Sequence, residues 1–450
     1  MSPLFLTIIL AAAIVILLFL VLKLKINAFI ALLITSMFVG ISTGMPLDNV
    51  LESIRNGMGG TLGFVAIVVG LGAIFGQMLE SSGGAESLGR YLVERFGEKR
   101  APYAMVVSGF FVGIPVFFDI GFIILVPIVY ALSRDTKLSV VYYAIPLLAG
   151  LAVTHSFIPP TPGPVAVAEI IGAQLGYVIF FGFIIGIPIA ILAGPVFGSY
   201  ISKKIQVAPP TGWQEFSSVK QFDMPKFQQV IWIIAIPLIL ILMATVSGLM
   251  IRKGLLNEGF GPEVISFIGH PFSALIIATL TAIYFLGIKR GFSRHEIMNL
   301  SSKALGPAGI IILVTGAGGA LKEVLVDSGI GDAIALSIAD SSWSPVLLAW
   351  TLAALVRITQ GSATVAMITA AGIMGPILGV FELSQAHRAL VVLAISSGAT
   401  ILSHVNDSGF WLVGKYLGLD EKQTLQSWTV METIIAVSGL ILTLTFSLFV

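Results

Sequence analysis

The chain is 450 residues long, 57% of them hydrophobic and 10% charged, where an ordinary soluble domain carries about 25% charged residues. No soluble core absorbs that excess, so the bilayer must be the solvent for most of the chain and the fold must be helical. A formal net charge of +1 with no long basic run excludes a nucleic-acid partner, and zero cysteines exclude disulfides, thiolate metal sites and thiol nucleophiles.

In chain order, apolar segments fall at 4–22, 27–44, 62–80, 102–132, 139–175, 177–200, 229–250, 270–288, 307–326, 345–380, 388–416 and 430–449. The first is followed, not preceded, by Lys23 and Lys25 and has no small-residue cleavage site, so it reads as a span and not a signal peptide. Segments 102–132 and 345–380 are too long for one crossing and too short for two. Glycine and polar residues interrupt each near its middle, which predicts two re-entrant hairpins. Within 139–175, the run Thr154-His-Ser-Phe-Ile-Pro-Pro-Thr-Pro-Gly-Pro164 carries four prolines, which remove backbone donors and forbid a continuous helix. The matching place in 388–416 is Ser403-His-Val-Asn-Asp-Ser-Gly409, polar and ending in glycine. Both segments are therefore predicted to be broken helices.

Charge supports this map. With the N-terminus outside, 18 of the 24 Lys and Arg residues fall on inside connections, while Arg55, Arg252, Lys253 and Arg388 lie outside. Both termini are then expected outside the cell membrane. The halves resemble each other at an offset of about 245 residues: Phe29-Ile-Ala-Leu32 matches Phe272-Ser-Ala-Leu275, Gly70-x-Gly72 matches Gly316-x-Gly318, Pro102 matches Pro345, and Thr154-His155 matches Ser403-His404. The expected fold is an all-α polytopic membrane protein with two inverted-topology repeats, 1–200 and 229–450, joined by a cytoplasmic linker, 201–228, that contains Pro209-Pro210 and Trp213. Each repeat holds about five transmembrane helices, one of them broken, and one re-entrant hairpin. Inverted repeats with discontinuous helices mark secondary transporters, with the substrate near mid-membrane.

The broken segments offer half-helix N-termini, whose amides and dipoles suit an anion. The first contributes His155, Ser156 and Thr161, and the second Ser403, His404, Asn406 and Asp407. At the first hairpin tip, Asp119-Ile-Gly121 sets a carboxylate in an apolar run. Asp119 reads either as a proton carrier or as a structural partner of Arg357. In the second hairpin, Arg357-Ile-Thr-Gln-Gly-Ser-Ala-Thr364 offers a cation, the hydroxyls of Ser362 and Thr364, and Gly361, where a ligand can approach the backbone. Arg357 reads either as a fork for a substrate carboxylate or as half of a salt bridge. His155 and His404 read either as titrating groups or as neutral histidines satisfied by carbonyls. The glycines Gly70, Gly72, Gly316, Gly318 and Gly319 suit close helix packing better than phosphate binding. There is no P-loop, so ATP is not an evident energy source, and no cofactor or metal is expected.

With these residues in view, the sequence resembles the gluconate:proton symporter family along essentially its whole length. The resemblance is carried by Gly57-Met-Gly-Gly-Thr-Leu-Gly63, Phe117-Phe-Asp-Ile-Gly121, His155-Ser-Phe-Ile-Pro-Pro-Thr-Pro-Gly-Pro164, Gly361-Ser-Ala-Thr-Val-Ala366 and His404-Val-Asn-Asp-Ser-Gly-Phe-Trp411. It implies proton-driven uptake of gluconate or a related sugar acid across a bacterial cytoplasmic membrane, with Asp119, Asp407, His155 and His404 as candidates for the coupling proton. It also implies a homodimer in which a mobile domain moves past a fixed scaffold. Relatives in that family often have glutamate in place of Asp119 and histidine in place of Thr161, and the stretch at 404–407 favours a polyhydroxy acid over D-serine. A sodium-coupled carboxylate carrier is the nearest rival. An intramembrane hydrolase would need a serine paired with its base, and Ser156 and Ser403 merely adjoin histidines in sequence.

Overall fold

The computed structural model describes residues 3–209, 224–330, 344–379 and 381–450. Half of the expected linker, residues 210–223 with Pro210 and Trp213, lies outside the described residues. Every regular element among the described residues is helical. Seven helical stretches there are long and apolar enough to cross a membrane: Leu47–Ser81, Val140–Ile171, Leu175–Ile201, Phe227–Arg252, Pro271–Arg290, Arg294–Asp327 and Glu421–Ser447. The chain is a multi-pass membrane protein.

The first half runs α1 (Pro3–Leu18), α2 (Ala28–Ser42), α3 (Leu47–Ser81), α4 (Gly84–Phe96), a hairpin of α5 (Ala101–Val112) and α6 (Phe118–Thr136), then α7 (Val140–Phe157), α8 (Pro162–Ile171), α9 (Leu175–Ile191) and the short α10 (Phe197–Ile201). The second half runs α11 (Phe227–Arg252), α12 (Phe260–Ile268), α13 (Pro271–Ala282) and α14 (Arg294–Asp327). A hairpin of α15 (Pro345–Gln360) and α16 (Ala363–Gly379) follows, then α17 (Gln385–Gly398), α18 (Ser408–Leu417), the single turn α19 (Glu421–Thr424) and α20 (Val430–Ser447). The order of long helix, hairpin, broken helix and closing helix thus occurs twice.

The long helices exceed the apolar segments seen in the sequence. α3 begins at Leu47 instead of 62, and α14 at Arg294 instead of 307, because their first turns are polar and escape a hydropathy reading. Local chemistry fixes the α14 start: Ser293 and Glu296 form a reciprocal capping box, satisfying two amides that would otherwise lack partners. α3 and α14 pack antiparallel along their length. A Cβ on Gly57 would stand 2.5 Å from the Gly319 carbonyl oxygen, and one on Gly319 would stand 2.1 Å from Thr61 Oγ1. At the other end of the pair, Glu80 and Lys303 are electrostatic neighbours. Small residues here permit backbone contact that side chains would block.

The first hairpin behaves as an incomplete crossing. α5 has 12 residues, about 18 Å of rise at 1.5 Å per residue, well short of a hydrocarbon core of about 30 Å. Both ends of the first hairpin return to one level: the Tyr143 hydroxyl donates to Thr136 Oγ1 at 3.0 Å, and Glu98, ahead of α5, is an electrostatic neighbour of the same tyrosine.

Candidate functional site

The second broken helix parts at 399–407, between α17 and α18. Asp407 is the N-cap of α18, and its Oδ1 accepts from the Gly409 amide at 3.0 Å. The other oxygen, Oδ2, accepts from Arg357 Nη2 at 2.5 Å and from Ser403 Oγ at 2.5 Å. Arg357 lies in the last turn of α15 with its side chain 2% exposed, against 13% for Asp407. Its Nη1 donates to the Gly361 carbonyl, while its Nε is buried and donates to nothing among the described residues. Of the two readings of Arg357, the structure places it in an ion pair, with Asp407 and not Asp119 as its partner. One guanidinium nitrogen, Nε, has no partner among the described residues.

The polar side chains of this loop hold the hairpin end. His404 Nε2 lies 3.0 Å from the Ile358 carbonyl, and Asn406 Nδ2 donates to that oxygen at 3.1 Å. They supply partners for carbonyls that a terminating helix leaves unpaired. Gly361 adopts φ +84°, and a Cβ there would stand 2.2 Å from the Asn406 carbonyl oxygen. The backbone approaching Gly361 is thus the loop at Asn406. Ser362 and Thr364 are half-buried at the start of α16, and the Ser362 hydroxyl accepts from the Val365 amide at 3.4 Å.

The wall behind the loop was not apparent from the sequence. A single π-helical turn, Leu425–Thr429, opens the last span and presents Trp428 and Thr429 toward the loop. Trp428 Nε1 donates to Ser403 Oγ at 2.6 Å, and Thr429 Oγ1 donates to the Ser403 carbonyl. One turn on, Glu432 is 4% exposed and an electrostatic neighbour of both Arg357 and Asp407. The available signal was an acidic residue inside an apolar run, which is costly in a membrane unless used. Asp119, in the first turn of α6, is exposed and is an electrostatic neighbour of Asp407, while Phe118 packs on Trp428 with ring centroids 5.2 Å apart. The first hairpin tip therefore faces the second broken helix.

In the first broken helix, Thr154 Oγ1 donates to the Phe110 carbonyl of α5 at 2.9 Å, and buried Thr161 donates back to Ile158 at 2.7 Å. Pro162 and Pro164 have no N–H, so the start of α8 offers an anion fewer donors than an ordinary helix. Pro160, Thr161 and Pro162 line one small cavity with Ile114, Pro115, Val116 and Phe117 of the first hairpin tip. His155 has a buried Nδ1 with no partner among the described residues, and Ser156 is buried. A Cβ on Gly163 would meet Met367 Sδ of α16 at 2.6 Å, and one on Gly121 would meet Leu151 of α7 at 2.8 Å. All four interrupted segments are thus linked. Asp119, Arg357, Gly361, Ser403, His404, Asn406 and Asp407 gather in one cluster, whereas Gly121, His155, Ser156 and Thr161 belong to the packing between the first hairpin and first broken helix.

Membrane-crossing helices assembled around interrupted segments that meet at a buried ion pair define a polytopic membrane transporter. The GntP family permease model matches residues 4–449, and the chain belongs to this family. It is 42% identical over 439 residues to the gluconate permease of Bacillus subtilis strain 168, covering 96% of this chain and 97% of that one. It is 41% identical over 434 residues to the Gnt-II system L-idonate transporter of Escherichia coli K12, covering 96% and 97%. Its fold is similar to that of the Alcanivorax borkumensis YdaH transporter, described as having an unusual topology, with a TM-score of 0.66 at 13% identity over 94% of this chain and 98% of the other. These are permeases and transporters, not enzymes.

Proposed function

We propose that this permease takes up gluconate or a related sugar acid together with a proton, by alternating access across a bacterial cytoplasmic membrane. The observation that carries the reading is the buried Arg357–Asp407 pair at the N-terminus of α18. A half-helix N-terminus with an adjacent guanidinium is an anion site, and here the chain's own carboxylate sits in it. A substrate carboxylate meets Arg357 Nε at this locus. Its hydroxyls meet Ser362, Thr364, Ser403 and Asn406, while the exposed Asp119 and then Asp407 receive the proton that offsets its charge. Relatives named for gluconate and L-idonate support a polyhydroxy acid as the substrate.

The reading includes two inverted repeats with both termini outside. It rests on the repeated element order, on the antiparallel α3 and α14, and on the excess of Lys and Arg in the expected inside connections. It further includes a homodimer whose hairpins and broken helices move together against α3 and α14, in elevator fashion. Proteoliposome uptake of labelled gluconate tests the proposal. An inward proton gradient should drive accumulation above equilibrium in sodium-free buffer. Simple equilibration would leave a facilitator, and accumulation only with sodium would favour the sodium-coupled alternative.

A further inference from the structure

Glu432 stands outside every role assigned so far. It lies in the middle of a cluster where one cation already has a partner. Four residues back, Trp428 bonds Ser403, which in turn bonds Asp407. Four residues on, the Ala436 carbonyl accepts from Trp350 Nε1 of α15 at 3.0 Å, and Arg357 lies two turns beyond Trp350. Residues four apart share a helix face, so Glu432 is on the face of α20 that meets both the broken loop and the Arg357 side of α15. No donor among the described residues lies within hydrogen-bond distance of its carboxyl, although Arg357 and Asp407 both act on it electrostatically.

The surrounding charges are few. α15 brings Arg357, and the loop brings Asp407, with His404 committed to Ile358. α17 brings His387 and Arg388 at its far end, next to Ser447 and Ile171. α7 brings His155, and α9 has no charged side chain. Arg357 is therefore the cation on which an ionised Glu432 depends, and its Nε has no partner among the described residues.

We propose that Glu432 holds the coupling proton and that its charge and the substrate's charge alternate at Arg357. In the empty site, Asp407 is bonded to the guanidinium and ionised Glu432 acts on it electrostatically. In the loaded site a proton, received through Asp119 and Asp407, forms an O–H bond on Glu432, and the substrate carboxylate, at the unpartnered Nε, supplies the negative charge that Glu432 has lost. Arg357 then faces two anions in either state. The cluster carries the same net charge empty as when loaded with one monoanion and one proton, so reorientation of either form moves no extra charge. The exposed Asp119 is suited to receiving the proton and the buried Glu432 to retaining it during the crossing.

This inference rests on the proton-coupled reading above, and its test separates the two. In proteoliposomes, Glu432→Gln fixes the neutral state of the acid. It should keep gluconate exchange between equal concentrations on the two sides while losing accumulation driven by a proton gradient and the proton flux that accompanies it. Glu432→Asp should restore part of both. A Glu432→Gln protein that still accumulates gluconate uphill, or a folded one that loses exchange as completely as accumulation, overturns the assignment. A second measurement needs no substrate: infrared difference spectra of the purified wild type between acid and alkaline buffer should contain a protonated-carboxyl band that Glu432→Gln removes. Its persistence in the variant, or its absence from the wild type, also overturns the assignment. If wild-type exchange fails with gluconate but the band behaves as stated, the substrate reading fails and the proton site stands.

Discussion

At the scale of single residues, Arg357 organises the site. Removing one member of a buried ion pair leaves the other charge uncompensated, at a cost of about 3–5 kcal/mol, whereas replacing both by neutral groups is often close to neutral. Arg357 is almost wholly buried, and Asp407 is nearly so. Arg357→Met should therefore lower the melting temperature of the detergent-solubilised protein sharply, and adding Asp407→Asn should recover most of the loss. Neither variant should transport, because both lack the cation proposed to meet the substrate. If the double variant melts no higher than the single one, the pair is not what stabilises this junction. Arg388 shows a contrasting use of a cation: its Nη1 donates to the Ile171 carbonyl at 2.7 Å, at the C-terminal end of α8, where a positive charge complements the helix dipole.

At the scale of elements, the hairpins and broken helices were legible because prolines, glycines and polar residues interrupt apolar runs, and a lipid-facing backbone cannot tolerate the resulting free groups. The polar first turns of α3 and α14 were not legible by hydropathy, although Ser293 and Glu296 spelled a cap. The sequence suggested only Asp119 as a structural partner of Arg357, although Asp407 is also a carboxylate in an interrupted segment, and only the fold brings Asp407 within 2.5 Å. Glu432 escaped notice because its neighbours read as an ordinary span, and the π turn that aims Trp428 and Thr429 at Ser403 has no local sequence signature. Gly361 joins hairpin to loop. A non-glycine residue with positive φ pays about 1–2 kcal/mol in backbone strain, and here its Cβ would also overlap the Asn406 carbonyl. Gly361→Ala should therefore destabilise the protein by more than that strain alone and expose the 403–407 loop to protease. Unchanged melting and proteolysis would show that the hairpin end and the loop separate easily.

At the scale of the whole molecule, the first hairpin decides the topology, because a chain that crossed there fully would reverse every later segment. Its arms begin and end beside Tyr143, and α5 is too short to reach the far side. The residues flanking it, Lys99 and Lys137, are exposed, and the proposed orientation, which follows the excess of positive charge, puts both inside. The chain contains no cysteine, so a single introduced thiol reports its own position. Lys99→Cys and Lys137→Cys should both resist a membrane-impermeant maleimide in intact cells and react after the membrane is opened. Glu382→Cys, exposed after the second hairpin, should react in intact cells because the proposed inversion puts that connection outside. Labelling of Lys99→Cys and Lys137→Cys from opposite sides would turn the hairpin into a crossing. The two halves would then no longer be inverted copies, and the interrupted segments would lose the common depth at which Arg357, Asp407 and Glu432 are proposed to share one anion and one proton.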